Sequence, residues 1–181
     1  MLNTFEAGSD RQESKTATGT RFLVYPQSPL LSAYSKPEII WISTPPGQIQ
    51  PGPADHRIYV ADPVFKKEPY EFPFLPPYVG ETFPLAMAGA DGHFDSIPVD
   101  AFPNLSRQFV AAHAFACVSR VVDIWESYLG HPFRWHFADT YPRLEIIPFL
   151  EWDNAQSGYG YIELGLDRDT EGHVLPYALN F

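Results

Sequence analysis

The sequence predicts an α+β fold, and three features predict it. One long amphipathic segment runs from about Asn104 to Gly130, short β-type runs stand in blocks on either side of it, and a Pro/aromatic stretch fills Thr44 to Pro84. Strands that are blocked together, instead of alternating with helices, favour short and mostly antiparallel ladders packed on one core helix. No self-similarity at solenoid period competes with this reading.

Residues 1–20 are polar, rich in Ser, Thr and charge, and lack a hydrophobic period, which reads as a tail or arm. Arg21–Tyr25 and Glu38–Ile42 are rich in β-branched and aromatic residues and end in Pro or Ser turn clusters, so two strands are expected there. Between Thr44 and Pro84 the recurring prolines fix φ and remove backbone donors, favouring extended segments over helix or central strand. The interleaved Phe65, Tyr70, Phe72, Phe74, Tyr78 and Phe83 predict a segment that wraps and packs. Together, residues 21–104 form a β/loop block.

The helix is expected to take Asn104 as its N-cap and Gly130 as its C′ residue. Phe109, His113, Ala116, Cys117, Val121, Ile124, Trp125 and Tyr128 recur at spacings of three and four, predicting one apolar face buried along most of its length, with Trp125 a core side chain. Strands are expected at Phe133–Phe137, Arg143–Leu150 and Tyr159–Gly165, with turns at Asp153-Asn154 and Ser157-Gly158. Residues 105–181 thus read as helix plus antiparallel strands, and 21–181 as one domain.

A chain of 181 residues with 45% hydrophobic and 15% aromatic side chains can bury a full core without a staple. Its formal charge of −10, with no basic cluster, opposes binding to nucleic acid or to anionic membrane surfaces. Cys117 is the single cysteine, no segment has a secretory pattern, and no run approaches the ~18 apolar residues of a membrane span. A soluble, cytoplasmic protein is the expectation.

The motifs HExxH, GxSxG, the P-loop and the dinucleotide fingerprint are all absent from the sequence. Weaker constellations remain. Asp91, His93 and Asp95 set an imidazole between two carboxylates, a donor set that suits a divalent metal, although a turn with Asp side chains on backbone amides is the preferred reading. Asp167, Asp169, Glu171 and Gly172 have the alternating oxygens and glycine that open a calcium loop, but Ala178 stands where a bidentate Glu belongs, so a solvated loop is preferred. His131 with His136, and His113 four residues before Cys117, are read as packed groups. Glu145, Glu151, Asp153 and Glu163 lie on or beside predicted strands; they suit a general acid–base pair across a cleft, and by default form the solvated face of a sheet.

Phe109-Val110-Ala111-Ala112-His113-Ala114-Phe115, continuing through Val121-Val122-Asp123-Ile124-Trp125 to Leu129-Gly130, resembles the long helix in the N-terminal lobe of thermolysin-like metallopeptidases. Arg143–Leu150, then Asp153-Asn154-Ala155, then Tyr159–Gly165 follow in that family's order and at similar spacing. The resemblance implies that the Asn-Ala segment is an edge strand that hydrogen-bonds an extended peptide, with Asn154 and Ala155 as the peptide-binding positions. Gln156 and Ser157 replace the aromatic residues the family has next. The resemblance implies zinc and peptide hydrolysis only where a zinc-binding segment follows Phe181; the chain as given holds no cofactor under this reading, and its partner is a peptide or protein, a missing catalytic segment or a neighbouring subunit. The alternative is an assembly protein whose N-terminal arm wraps such a subunit.

Overall fold

The computed structural model describes residues 18–100, 105–168 and 170–179. Residues 1–17 of the predicted arm, the Asn104 cap, Asp169 and Phe181 lie outside the described residues, and Thr20, at the end of that arm, already belongs to a strand. The architecture is α+β: one long helix and eight short strands in three sheets among the described residues.

Strands β1 (Thr20–Val24) and β2 (Glu38–Ile42) pair antiparallel, Phe22 opposite Ile40, within a residue of the sequence expectation. Helix α1 (Arg107–Leu129) starts at Ser106, whose hydroxyl accepts the Phe109 N–H at 3.2 Å, and stops at Gly130, which takes the left-handed conformation at φ 77°.

The N-terminal half of α1 is buried on every side: Phe109 through Ala116 are all core residues. Phe115 and Phe94 pack on Phe22, whose ring stacks on Phe94 at 4.8 Å. The C-terminal half differs from expectation. Trp125 is 58% exposed and Tyr128 76%, and Val121 and Ile124 also face solvent, while Val122 and Asp123 face inward. The single apolar stripe read from spacing therefore turns to solvent at this end of α1, where the inward side is Ser119, Val122 and Asp123, the last accepting hydrogen bonds from Ser43 just after β2.

The main sheet has the order β3-β4-β6-β5. Strands β3 (Ile58–Val60), β4 (Leu144–Ile147) and β6 (Tyr161–Leu164) run parallel, and β5 (Ala155–Gly158) returns antiparallel to β6 as the edge strand. β3 lies inside the Pro-rich stretch, where no strand was expected. Phe133–Phe137 forms no strand; the aromatics there stack on one another, Trp135 on Phe137 at 5.3 Å. Asn154 leads into β5, Ser157-Gly158 is strand, and the turn falls at Tyr159-Gly160, where φ of Gly160 is 89°. Strands β7 (Leu166–Arg168) and β8 (Val174–Pro176) complete the described fold as an antiparallel pair.

Alternation along the main sheet separates two faces. Ile58, Val60, Leu144, Ile146 and Leu164 belong to the large core shared with α1. Tyr59, Glu145, Ile147, Tyr161, Glu163 and Gln156 lie on the opposite face by register. That second face is not open to solvent: the stretch from Ala61 onward crosses it and closes a small cluster of Ala61, Tyr70, Ile147, Leu150 and Tyr161. The stretch doubles back on itself as a flap. Phe83 N donates to Asp62 O and Val64 N to Glu81 O, both at 2.9 Å, while Glu71 and Phe74 bond each other across the tip. Arg107 clamps its base by gripping Asp62 with two guanidinium hydrogen bonds, lying between the rings of Phe83 at 4.0 Å and Phe149 at 4.3 Å.

Candidate functional site

Two neighbouring features stand out beneath and beside the flap: a buried pair of carboxylates and an open strand edge.

Glu145 and Glu163, expected on a solvated face, are both fully buried. Their alternation was as the sequence suggested; what covers them was not legible in it. Burying a carboxylate is costly unless its oxygens are satisfied; here three of the four oxygens accept hydrogen bonds and the fourth, Glu163 Oε1, faces the Lys66 ammonium. Glu145 accepts hydrogen bonds from Tyr70 and Tyr59 hydroxyls, each at 2.5 Å, and from Tyr78 N at 2.9 Å. Burial foremost, with the Glu145 hydrogen bond adding to it, pushes both phenols far above their ordinary range, so they remain donors.

Glu163 accepts from Tyr70 N and from Gln156 Nε2, both at 2.7 Å, and pairs with the Lys66 ammonium at 3.0 Å. Lys66 in turn lies 3.6 Å from the centre of the Tyr70 ring. Five flap or strand residues, Tyr59, Lys66, Tyr70, Tyr78 and Gln156, thus converge on two acids; the sequence pointed to Tyr70 and Tyr78 as packing residues but tied none of the five to these carboxylates. The signal available in the sequence was the shared parity of Glu145 and Ile147, and of Tyr161 and Glu163, against a tyrosine-bearing stretch with no other visible anchor.

β5 forms the edge of the main sheet. Gly165 N donates to Asn154 O at 2.9 Å, which fixes the parity of the ladder: Gln156 and Gly158 turn their backbone groups toward β6, and Ala155 and Ser157 turn theirs away. Ala155 N–H is taken by Asn154 Oδ1 at 2.8 Å, leaving the Ala155 carbonyl and both backbone groups of Ser157 directed outward. Ala155 and Ser157 are exposed. Gln156 joins edge to flap, because its Nε2 also donates to Tyr70 O at 3.0 Å.

The remaining predicted positions fall elsewhere. Asp91 and Asp95 both bind the Arg21 guanidinium, at 3.0 and 2.6 Å, and His93 Nδ1 accepts Arg21 N–H at 3.0 Å, so the trio secures β1. The His93 backbone N–H is the main influence holding the Asp91 carboxyl below its usual range. Asp167 accepts the N–H of Arg168, and Glu171 lies 3.7 Å from His173. Among the described residues, no group of three or more His, Cys, Asp or Glu side chains could hold a metal ion.

His113 Nδ1 stands 3.6 Å from Cys117 Sγ inside the core. Burial pushes the imidazole down to about 4 and the thiol up to about 12, the reverse of what an activated thiolate needs. His131 bonds the carbonyl of Pro132, whereas His136 packs on Tyr159 at 5.3 Å. Glu151 faces Arg168 and Asp153 accepts from Tyr177, so neither joins the buried pair. No helix among the described residues is long and apolar enough to cross a membrane.

Compared with protein-family models, with characterised proteins and with solved structures, the chain matches none.

Proposed function

We propose that this chain is a peptide-binding domain that receives an extended polypeptide segment along the open edge of β5. The observation that carries the reading is the pair of exposed residues, Ala155 and Ser157, whose backbone groups turn away from β6 on an edge strand with no further neighbour in its sheet among the described residues. Such an edge pairs readily with another strand unless something covers it. β5 carries none of the usual protection: Ala155, Gln156, Ser157 and Gly158 include no charge and no proline.

The order of helix, strand, Asn-Ala edge and strand fits the lobe of thermolysin-like metallopeptidases, and under this reading the domain supplies substrate grip while cleavage belongs to a zinc-binding segment. Asn154 shapes the edge by occupying Ala155 N–H, so the incoming strand meets a carbonyl first.

The test is titration calorimetry with a blocked, alternating Thr/Val heptapeptide. Ser157→Pro removes one outward donor without removing a bond to β6, and it is expected to weaken binding by about tenfold, the worth of one such hydrogen bond. Unchanged affinity in the folded variant would overturn the reading.

A further inference from the structure

We propose that the flap tip, Glu71 to Phe74, is the second half of the docking surface: it receives an apolar or aromatic side chain from the peptide that pairs with β5. The inference rests on the edge-strand reading and adds a specificity element to it.

Tyr70 O meets Gln156 on the edge strand, while the Tyr70 side chain reaches inward to Glu145 on β4. Beyond the tip, Tyr78 N returns to the same carboxylate. Both arms are therefore anchored toward the middle of the sheet, and the residue that leads into the turn, Tyr70, is the one bonded to the edge strand. Glu71 and Phe74 exchange backbone hydrogen bonds of 3.1 and 2.6 Å, closing a tight turn with Phe72 and Pro73 at its apex.

The rings carried there make no use of the core. Phe72 is 84% exposed and Phe74 79%, and Leu75 beside them is also exposed. Large apolar side chains grouped on a fastened turn, beside a free strand edge, mark a contact surface. The fastening matters, since a turn already ordered by Glu145 and Glu163 does not have to be immobilised again when a ligand arrives. Phe72 is only two residues from Tyr70, which places its Cα within about 7 Å of Tyr70 and so close to Gln156. Under this proposal a strand laid along β5 comes within reach of this turn. Its backbone takes the outward groups of Ala155 and Ser157, and an apolar side chain on it covers the exposed rings.

Two blocked heptapeptides of alternating Thr and Val test this, one with Phe at both ends and one with Ser at both ends. Calorimetry is run on the wild-type chain, on Phe72→Ser/Phe74→Ser and on Ser157→Pro. Both phenylalanines are exposed, so the double variant keeps the fold, which circular dichroism checks.

The wild type is expected to favour the Phe-ended peptide by about tenfold, a part of the gain from covering one aromatic side chain. The double variant is expected to bind both peptides alike, with the affinity for the Ser-ended one unchanged. A wild type without preference, or a preference that survives in the double variant, overturns the proposal and leaves the edge reading standing. Failure of both peptides to bind the wild type, or equal binding by Ser157→Pro, overturns the edge reading and the proposal with it.

Discussion

Gln156 and Glu163 stand directly opposite one another in the β5–β6 ladder, and the Gln156 amide donates to the buried Glu163 carboxylate at 2.7 Å. One pair thus links the exposed edge to the interior. Through the same carboxylate, Tyr70 N and Lys66 fasten the flap over the sheet, so edge and flap share a single anchor.

That anchor makes a double-substitution test informative. Glu163→Leu removes the acceptor for three donors and leaves the Lys66 ammonium, which also donates to Glu68 O, without a counter-charge on a side chain that is 9% exposed. A loss of about 3–5 kcal/mol is expected, as for breaking a buried ion pair from one side. Lys66→Met/Glu163→Leu removes the stranded charge and should recover a substantial part of that loss. Urea unfolding of the three chains measures it; a double variant as unstable as Glu163→Leu would show that the charge pair is not what the flap relies on.

The two halves of α1 should respond oppositely to truncation. Phe115→Ala leaves a cavity among Phe22, Phe94 and the helix, and about 3–5 kcal/mol should be lost. Trp125→Ala, by contrast, removes an exposed ring, and a change within about 0.5 kcal/mol is expected. Thermal melts of both variants decide the matter, and a large loss at Trp125 would place that ring against a covering surface.

The same helix shows what could and could not be read from the chain. The C′ role of Gly130 was legible because its left-handed conformation is a local demand with a local residue signature. The strand β1 was legible for a similar reason, since its β-branched and aromatic run is bounded by turn residues. Trp125 was misread because spacing reports which residues share a face, not which face the neighbouring elements cover, and at this end of α1 it is Val122 and Asp123 that turn inward. Glu145 and Glu163 were misread in the same way: their parity was right, but burial depended on Tyr70 and Tyr78, which lie more than 60 residues away in sequence. β3 escaped notice because Ile58, Tyr59 and Val60 are too short a run to rise above the prolines around them.

Gly165 is a position where a single methyl group should be costly. A Cβ there would sit 1.8 Å from Trp152 O and 2.4 Å from Asn154 O, both backbone atoms. The close approach lets Gly165 N reach Asn154 O and Leu166 N reach Trp152 O, bonds that extend the β5–β6 ladder between the segment before β5 and the one after β6. Gly165→Ala is expected to lose about 2–3 kcal/mol, in the range of overpacking, and to weaken peptide binding as the edge shifts. Denaturant midpoints and calorimetry together check both effects; a neutral change in stability would contradict the packing.

His113 gives the domain a pH dependence whose sign follows from its surroundings. Burial lowers the imidazole from an ordinary 6.5 to about 4, against the opposing influence of the Tyr25 and Ala178 backbone groups. The folded state therefore binds fewer protons at this residue than the unfolded chain between those two values, and stability at His113 is fully present above the unfolded value. As pH falls from 6.5 toward 4, protons favour the unfolded chain, and roughly 2–4 kcal/mol of stability is lost across that window. His113→Leu keeps the apolar volume among Phe109, Tyr25 and Ala178 but has nothing to protonate. The difference in unfolding free energy between pH 7 and pH 4.5 should therefore be smaller in the variant than in the wild type by about 2 kcal/mol. Carboxylates elsewhere titrate in both chains and cancel in this comparison. Equal pH dependence in the two chains would mean that the imidazole is protonated in the folded core.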